Sequence, residues 1–250
     1  MKDIVRFLLL TLLWSGVPLA QPIRYPDATF VDGSDSVYLF KQFDLTALSV
    51  HHGFDYLFVP KGVPTLLSVA QAKNYRFMIN GSFFDGVRLD AQHSGWLRIL
   101  GKSFGTVWNN RQLTHVVRFD TTSGTVHIIS SKDFKPSNSD HTIEFQTGPL
   151  VIEDNKVALS LISHSINGSG RYTRTMIAVR NGSELLFITV RKPVSLDALA
   201  RFLLTLSIFQ QKRLDVINLD GGPSVAFYAR AFPQLHYNVD DRLPLLLGVQ

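Results

Sequence analysis

Thr175–Gly222 reads TMIAVRNGSELLFITVRKPVSLDALARFLLTLSIFQQKRLDVINLDGG, and this stretch decides the fold. Thr175–Val179 and Leu185–Val190 are apolar runs of strand length. Asn181-Gly182 between them is the dipeptide of a type I′ hairpin turn. A helix is predicted next, over Ser195–Gln210, with the Ser195 hydroxyl as its N-cap. Leu196, Leu199, Ala200, Leu203 and Leu204 recur at the helical period. Phe202, Leu206 and Ile208 make the helix apolar nearly all round, which implies burial. Leu214–Leu219 is a further apolar strand. Strand, helix and strand in succession predict a β-α-β unit in which strands 185–190 and 214–219 run parallel.

Outward from this core the chain reads as short strands and turns. Val37–Phe40, Leu45–Val50, Tyr56–Val59 and Arg76–Ile79 are apolar runs. Pro60 stops the third, and Thr65 can cap a short helix over Leu66–Asn74 before the fourth. Val116–Asp120 and Val126–Ser130 flank a turn at Thr121-Thr122-Ser123-Gly124. Pro149–Glu153 and Lys156–Ser160 flank another at Asp154-Asn155. The polar segment Lys132–His141 reads as an exposed loop within the domain. No linker or low-complexity stretch divides the chain. The expected fold is α+β: a mixed, β-rich sheet with a few packed helices and at least one β-α-β unit, in a single domain over residues 21–250.

Composition removes several classes. Of the 250 residues, 45% are hydrophobic and 18% charged, which excludes disorder over most of the length. The absence of cysteine excludes a disulfide scaffold, a thiol nucleophile, a zinc ribbon and an acylated lipid anchor. A net charge of +5 permits acidic partners. Lys and Arg are nowhere concentrated among aromatics, so no nucleic-acid partner is expected. Residues 1–20 have the form of a secretory signal peptide. Lys2 and Arg6 precede the apolar stretch Phe7–Trp14, and a small-residue exit ends at Ala20. An uncleaved anchor is the alternative. Gly16, Pro18 and Pro22 disfavour it by keeping the apolar block short of the ~20 residues a span needs. Cleavage would leave no stable membrane anchor and a secreted or periplasmic protein.

Two segments place Asn and Asp at the end of an apolar strand. They are Asn80-Gly81-Ser82-Phe83-Phe84-Asp85 and Asn218-Leu219-Asp220-Gly221-Gly222-Pro223-Ser224. Ligands tend to bind at the carboxyl ends of parallel strands. Gly221 and Gly222 allow close backbone approach and present amides to an anion. Asn-Gly and Asp-Gly are also ordinary turn chemistry, so a structural reading stands beside the functional one. Arg174, beside Thr175 at a strand mouth, has the donors to grip a phosphate or carboxylate bidentately. A surface arginine is the plainer reading. Gln146–Ile152 (QTGPLVI) enters a strand through Gly148-Pro149, ordinarily a turn. His93 follows the first motif closely enough to line the same pocket. The eight histidines lack metal-ligand spacing, and no P-loop, His-Glu-x-x-His or Gly-x-Ser-x-Gly occurs, so neither metal nor cofactor is expected. Glycosylation sequons begin at Asn80, Asn167 and Asn181, and the same tripeptides make good turns.

In this order, INGSFFD (Ile79–Asp85), QTGPLVI (Gln146–Ile152), RTMIAV (Arg174–Val179) and INLDGGPSVAFY (Ile217–Tyr228) resemble the phosphodiester glycosidase family. The resemblance runs from about Val31 to the end of the chain. The chain departs from the family pattern at Ser82, where Gly or Ala is frequent, at Pro223, where a third Gly is frequent, and near Ala178, where Gly is usual. The resemblance implies a hydrolase that cleaves a sugar-1-phosphodiester, with a sugar phosphodiester or phosphoglycan as substrate, in envelope or extracellular polysaccharide metabolism. A non-catalytic carbohydrate- or phosphate-binding envelope protein on the same fold is the alternative.

In the hydrolase reading Arg174 neutralises the phosphate and the Gly221 and Gly222 amides hydrogen-bond it. Asp220 is the base or nucleophile. Asn80 and Asn218 orient substrate or water. Asp85 holds sugar hydroxyls or acts as a second carboxylate. Gly81, Gly148, Thr175, Ser224 and His93 are expected to line the substrate site. Glycosidases usually use two carboxylates, one of them protonating the leaving group. A phosphate monoester is a weakly basic leaving group, so an arginine clamp can stand in for that acid. Cleavage of P–O rather than C–O would ordinarily call for a metal cluster.

Overall fold

The hairpin expected at Asn181-Gly182 forms the centre of the structure. A computed structural model of the chain describes residues 23–51, 54–58, 64–85, 92–159, 169–210 and 213–250. The leader expected over residues 1–20 lies outside the described residues, as does the sequon at Asn167. In the hairpin, β15 (Tyr172–Arg180) pairs antiparallel with β16 (Glu184–Val194). Asn181 (φ 51°) and Gly182 (φ 75°) both take positive φ, as a type I′ turn requires, and the Ser183 amide donates to the Arg180 carbonyl at 3.2 Å.

Around this hairpin lies an eight-stranded sheet. On the β16 side follow β3 (Leu45–Val50), β2 (Asp35–Phe40) and β1 (Ala28–Asp32). On the β15 side follow β17 (Leu214–Asn218), β13 (Leu150–Glu153) and β14 (Lys156–Val157). A second sheet runs β11 (Val126–Ser130), β10 (His115–Asp120), β12 (Thr142–Thr147), β8 (Leu97–Ile99), β9 (Lys102–Phe104). A third runs β18 (Phe227–Ala229), β5 (Phe77–Asn80), β19 (Leu245–Val249), β4 (Asp55–Phe58). Phe84–Asp85 (β6) and Gln92–His93 (β7) form a small ribbon.

The sheets share one core. Every residue of β3, β5, β12 and β19 is buried, the mark of strands covered on both faces. Phe54 packs between Phe119 of the second sheet and Phe187 of the first, with ring centroids 4.5 and 5.7 Å away. Tyr56 of the third sheet stacks on Phe145 of the second at 4.5 Å. A smaller cluster lies under α1 (Leu66–Ala72), where Leu66, Val69 and Ala70 meet Tyr75, Met78 and Leu246. Thr65 caps α1 as expected, its Oγ1 accepting from the Ser68 amide at 3.1 Å.

Two expectations are corrected. Strands β16 and β17 run parallel, as predicted, since β15 is antiparallel to both, but β15 lies between them, so they are not hydrogen-bonded neighbours and the adjacent pair expected of the β-α-β unit is not found. The described strand ladders are antiparallel throughout, and the fold is mostly β, with two short α-helices among the described residues. The helix after β16, α2 (Leu196–Leu203), has half the predicted length. Ser195 caps it, accepting from the Ala198 amide at 3.3 Å. It stops early because the following residues find other partners. Thr205 turns its hydroxyl back onto the Phe202 carbonyl (2.7 Å), and Leu206 forms a parallel bridge with Arg24. Arg24 donates to the Thr205 carbonyl and accepts from the Ser207 amide. The segment Lys132–His141 is a largely exposed loop, as its composition predicts.

Candidate active site

The end of β17 and the start of β15 lie side by side. Met176 pairs with Asn218, and just past the end of β17 the Leu219 amide still donates to the Thr175 carbonyl, which brings Asp220 alongside Arg174 at the pocket. Residues two apart share a face. Arg174, Asn218 and Asp220 therefore border one pocket of about 200 Å³, together with Phe83, Tyr172, Gly221, Gly222 and Pro223.

Asp220 is held by its own loop. Its Oδ1 accepts from the Gly221 amide at 2.9 Å, and the Ser224 hydroxyl hydrogen-bonds the same carboxylate. Burial outweighs these bonds and pushes the carboxyl up to about 6. The Gly221 amide expected to bind phosphate is thus engaged with Asp220. Gly221 has no room for a side chain, since a Cβ there would lie 2.8 Å from the Thr173 carbonyl. Gly222 (φ 60°) follows, with its carbonyl held by the Thr173 hydroxyl at 2.7 Å.

Arg174 is buried, yet it borders the pocket. Its guanidinium donates to the Gly170 carbonyl (2.7 Å) and more weakly to that of Val194 (3.4 Å). Burial lowers its pKa to about 10, which leaves it cationic at neutral pH. The Tyr172 ring covers the guanidinium at 5.1 Å and is half exposed at the mouth of the pocket. Such an aromatic face can both hold a cation and stack on a sugar.

Asn80 is brought to the site but does not line it. Its amide donates to the Asp220 carbonyl (2.8 Å), and its Oδ1 accepts from the Thr175 hydroxyl (2.6 Å) and the Ala226 amide (3.2 Å). It is fully buried and ties the Asp220 loop to the first and third sheets. Its role is positioning, and Thr175 serves it from beneath. Asn80→Ala strands three polar groups, at about 1–3 kcal/mol each. The expected loss is about 3–5 kcal/mol, read as a Tm fall of roughly 10 °C. The sequon at Asn80 is sealed inside this network.

Asn218 donates to the Gly148 and Leu219 carbonyls (3.0 and 2.6 Å), while its buried Oδ1 lacks a hydrogen-bond partner. A buried acceptor left unsatisfied is uncommon in a folded protein, and this one lies in a residue of the pocket wall. Gly148 stands behind Asn218, where a Cβ would strike the Gln112 carbonyl at 2.6 Å. Gly81 contributes backbone alone, donating to Leu245 and accepting from the Asp220 amide.

Of the expected residues, Asn80, Gly81, Gly148, Thr175 and Ser224 stand behind the lining, and Asp85 and His93 are neither in it nor bonded to a residue that is. Asp85 is exposed on the small ribbon and is absent from the lining, which leaves Asp220 as its one carboxylate among the described residues. His93 is buried, with Nε2 2.8 Å from the Ser82 hydroxyl. Ser82 in turn bonds the Tyr56 hydroxyl. Burial lowers His93 to about 4 and raises Tyr56, so both stay neutral at pH 7. The serine that departs from the family pattern is therefore the middle of a buried polar chain. Phe83, Tyr172 and Pro223 line the pocket without having been singled out as site residues. For Tyr172 the signal was present, an aromatic between two arginines at a strand mouth.

A family model described as phosphodiester glycosidase matches residues 73–245. Among solved structures the chain is similar to the catalytic domain of zebrafish N-acetylglucosamine-1-phosphodiester alpha-N-acetylglucosaminidase, auto-inhibited by its pro-peptide. The TM-score is 0.58 at 14% identity, covering 89% of this chain and 81% of that one. A hypothetical protein from Synechocystis aligns with TM-score 0.53 at 12% identity, over 88% of this chain and 60% of that one. A Burkholderia pseudomallei K96243 protein described provisionally as exported gives 0.58 at 9% identity, over 82% and 74%. At these identities the likeness concerns the fold. No curated protein sequence matches the chain.

Proposed function

The chain belongs to the phosphodiester glycosidase family, and from that membership we propose that it is an exported hydrolase cleaving the bond between a sugar's anomeric carbon and a phosphodiester. One observation carries this reading: a half-buried carboxylate, Asp220, and a buried guanidinium, Arg174, border a single small pocket. The carboxylate suits the developing positive charge at the anomeric carbon, as base toward water or as nucleophile. The guanidinium suits the departing phosphate, whose charge it neutralises. Tyr172 offers the sugar a face. With no second carboxylate among the described lining residues, departure of the weakly basic phosphate is assigned to Arg174 rather than to a general acid.

The leader expected over residues 1–20 and the likeness to one protein described provisionally as exported support a secreted or periplasmic location. A role in envelope or extracellular polysaccharide metabolism fits a phosphate-bearing glycan as substrate.

The test is to incubate the protein with a panel of sugar-1-phosphodiesters in oxygen-18 water. Label in the sugar is the expected result. Label in the phosphate would mean P–O cleavage and sink the assignment. Binding without turnover would favour the carbohydrate-binding alternative.

The pH profile follows from Asp220. A base or nucleophile must be ionised, and this group loses its proton near 6. The expected kcat/KM falls tenfold per unit below about pH 6 and levels above it. A profile flat from pH 4.5 to 7.5 would exclude Asp220 as the group that must ionise.

A further inference from the structure

The motif Gln146–Ile152 contributes more than Gly148 to the molecule. The Gln146 side chain is fully buried and braces the loop before β10. Its Oε1 accepts from the Trp96 and Trp108 amides at 3.2 and 2.9 Å. Its Nε2 donates to the Leu113 carbonyl and to the Ser131 hydroxyl, both at 2.9 Å. Asn110 fixes the same loop from within, with Oδ1 accepting from the Gln112 and Leu113 amides. This bracing holds open a second cavity of about 340 Å³, lined among others by Asn109, Arg111, Ser131, Lys132 and Pro149.

The lining has a definite chemistry. It carries two cations, hydroxyls and amides, and it carries no carboxylate. Arg111 and Lys132 are exposed, and neither is paired with an acidic side chain among the described residues. Trp108, on the same braced loop, is 37% exposed. Cations without acidic partners, set among hydroxyls and amides, are the donors a phosphorylated sugar requires, and Trp108 stands next in sequence to the lining residue Asn109. The cavity also adjoins the candidate active site. Pro149 lines it, while the Pro149 carbonyl accepts from the Asn218 amide (3.1 Å) and Asn218 borders the Asp220 pocket. The link between the two linings is this single backbone hydrogen bond between neighbouring strand ends.

We propose that this second cavity is a phosphoglycan subsite. It binds the phosphate and sugar of a neighbouring repeat unit when the diester being cleaved is part of a chain. The choice of ligand rests on the phosphodiester reading of the adjacent pocket, while the cation-lined cavity stands independently of it. The substrate class implied is an oligomer of sugars joined by 1-phosphodiesters rather than a single small diester.

The test separates the two readings. The full chain carrying Asp220→Asn is titrated by calorimetry with inorganic phosphate, with a hexose 1-phosphate, and with an oligomer of hexoses joined by 1-phosphodiesters. The oligomer is expected to bind at least tenfold more tightly than the hexose 1-phosphate. Adding Arg111→Gln and Lys132→Gln should remove that gain and leave the hexose 1-phosphate unchanged. In the otherwise native enzyme the same pair should raise KM for the oligomer about tenfold, with kcat and the small-diester KM unaltered. Equal oligomer affinity with and without the pair would overturn the subsite. Inorganic phosphate binding as tightly as the oligomer would overturn its assignment to a glycan. Binding that depends on Arg111 and Lys132 in a protein that hydrolyses no diester would uphold the subsite and refute the catalytic reading.

Discussion

Asp220→Asn is expected to lower turnover of a sugar-1-phosphodiester by about a thousandfold or more while making the protein more stable at pH 7.5. The two effects have one cause. Burial raises the carboxyl from 3.8 to about 6, so the folded protein binds a proton that the unfolded chain has released. The sign of the linkage follows. Stability associated with protonated Asp220 is fully present below about pH 4 and is lost as pH rises through about 6. At pH 7.5 the ionised group costs at most about 3 kcal/mol, less for the part of it that water reaches. Asparagine keeps the shape and can still accept from the Gly221 amide, without the buried charge. The variant should therefore melt a few degrees higher at pH 7.5 and with no advantage at pH 4. Paired activity assays and thermal melts at the two pH values check this. Activity lost together with stability would mark Asp220 as a structural carboxylate. Activity retained would remove it from the chemistry.

The elements were legible where local chemistry dictates them. Asn181-Gly182 fixed a hairpin because few residues tolerate two positive φ angles in succession. Thr65 and Ser195 each cap the helix expected of them. Sheet order was less legible, because an apolar strand says that it is covered and not which strand covers it. The residues of β15 insert between β16 and β17, and this is a property of tertiary packing. The early end of α2 has the same origin. Its apolar pattern continues past Leu203, but Arg24, remote in sequence, captures the backbone of Thr205 and Ser207.

The site divides along similar lines. The two Asn-containing motifs look alike in sequence, and the structure gives them unequal work. Asn218 and Asp220 border the pocket, whereas Asn80 supports it through the Asp220 carbonyl, and Asp85 lies exposed on the small ribbon, outside the lining. Spacing places a polar residue at a strand end but leaves open which strand end forms the wall and which the buttress. Tyr172 was passed over for a related reason. An aromatic at a strand mouth gains its meaning from the guanidinium beneath it, and that contact exists only after β15 has folded.

Arg174→Lys is the second large effect, and its dependence on the leaving group is the sharper measurement. The guanidinium is buried, anchored on the Gly170 carbonyl and covered by Tyr172, so its orientation toward the pocket is fixed. A lysine keeps the charge but loses the planar fork and the ring stacking. The expected loss is about a hundred- to a thousandfold in kcat/KM, the range seen when one preorganised donor to a developing charge is removed. If Arg174 stabilises the departing phosphate, that loss must grow as the leaving group becomes more basic. It should be largest for an alkyl phosphate monoester and small for one bearing a nitrophenyl group, which needs less help to leave. The slope of log kcat/KM against leaving-group pKa should therefore be steeper in the variant than in the native enzyme. Parallel lines would mean that Arg174 only binds substrate, since a contact equally strong in ground and transition states shifts every diester by the same factor. The departing phosphate would then need another donor, and the Gly222 loop and Asn218 are the other polar groups at the pocket wall from which to seek it.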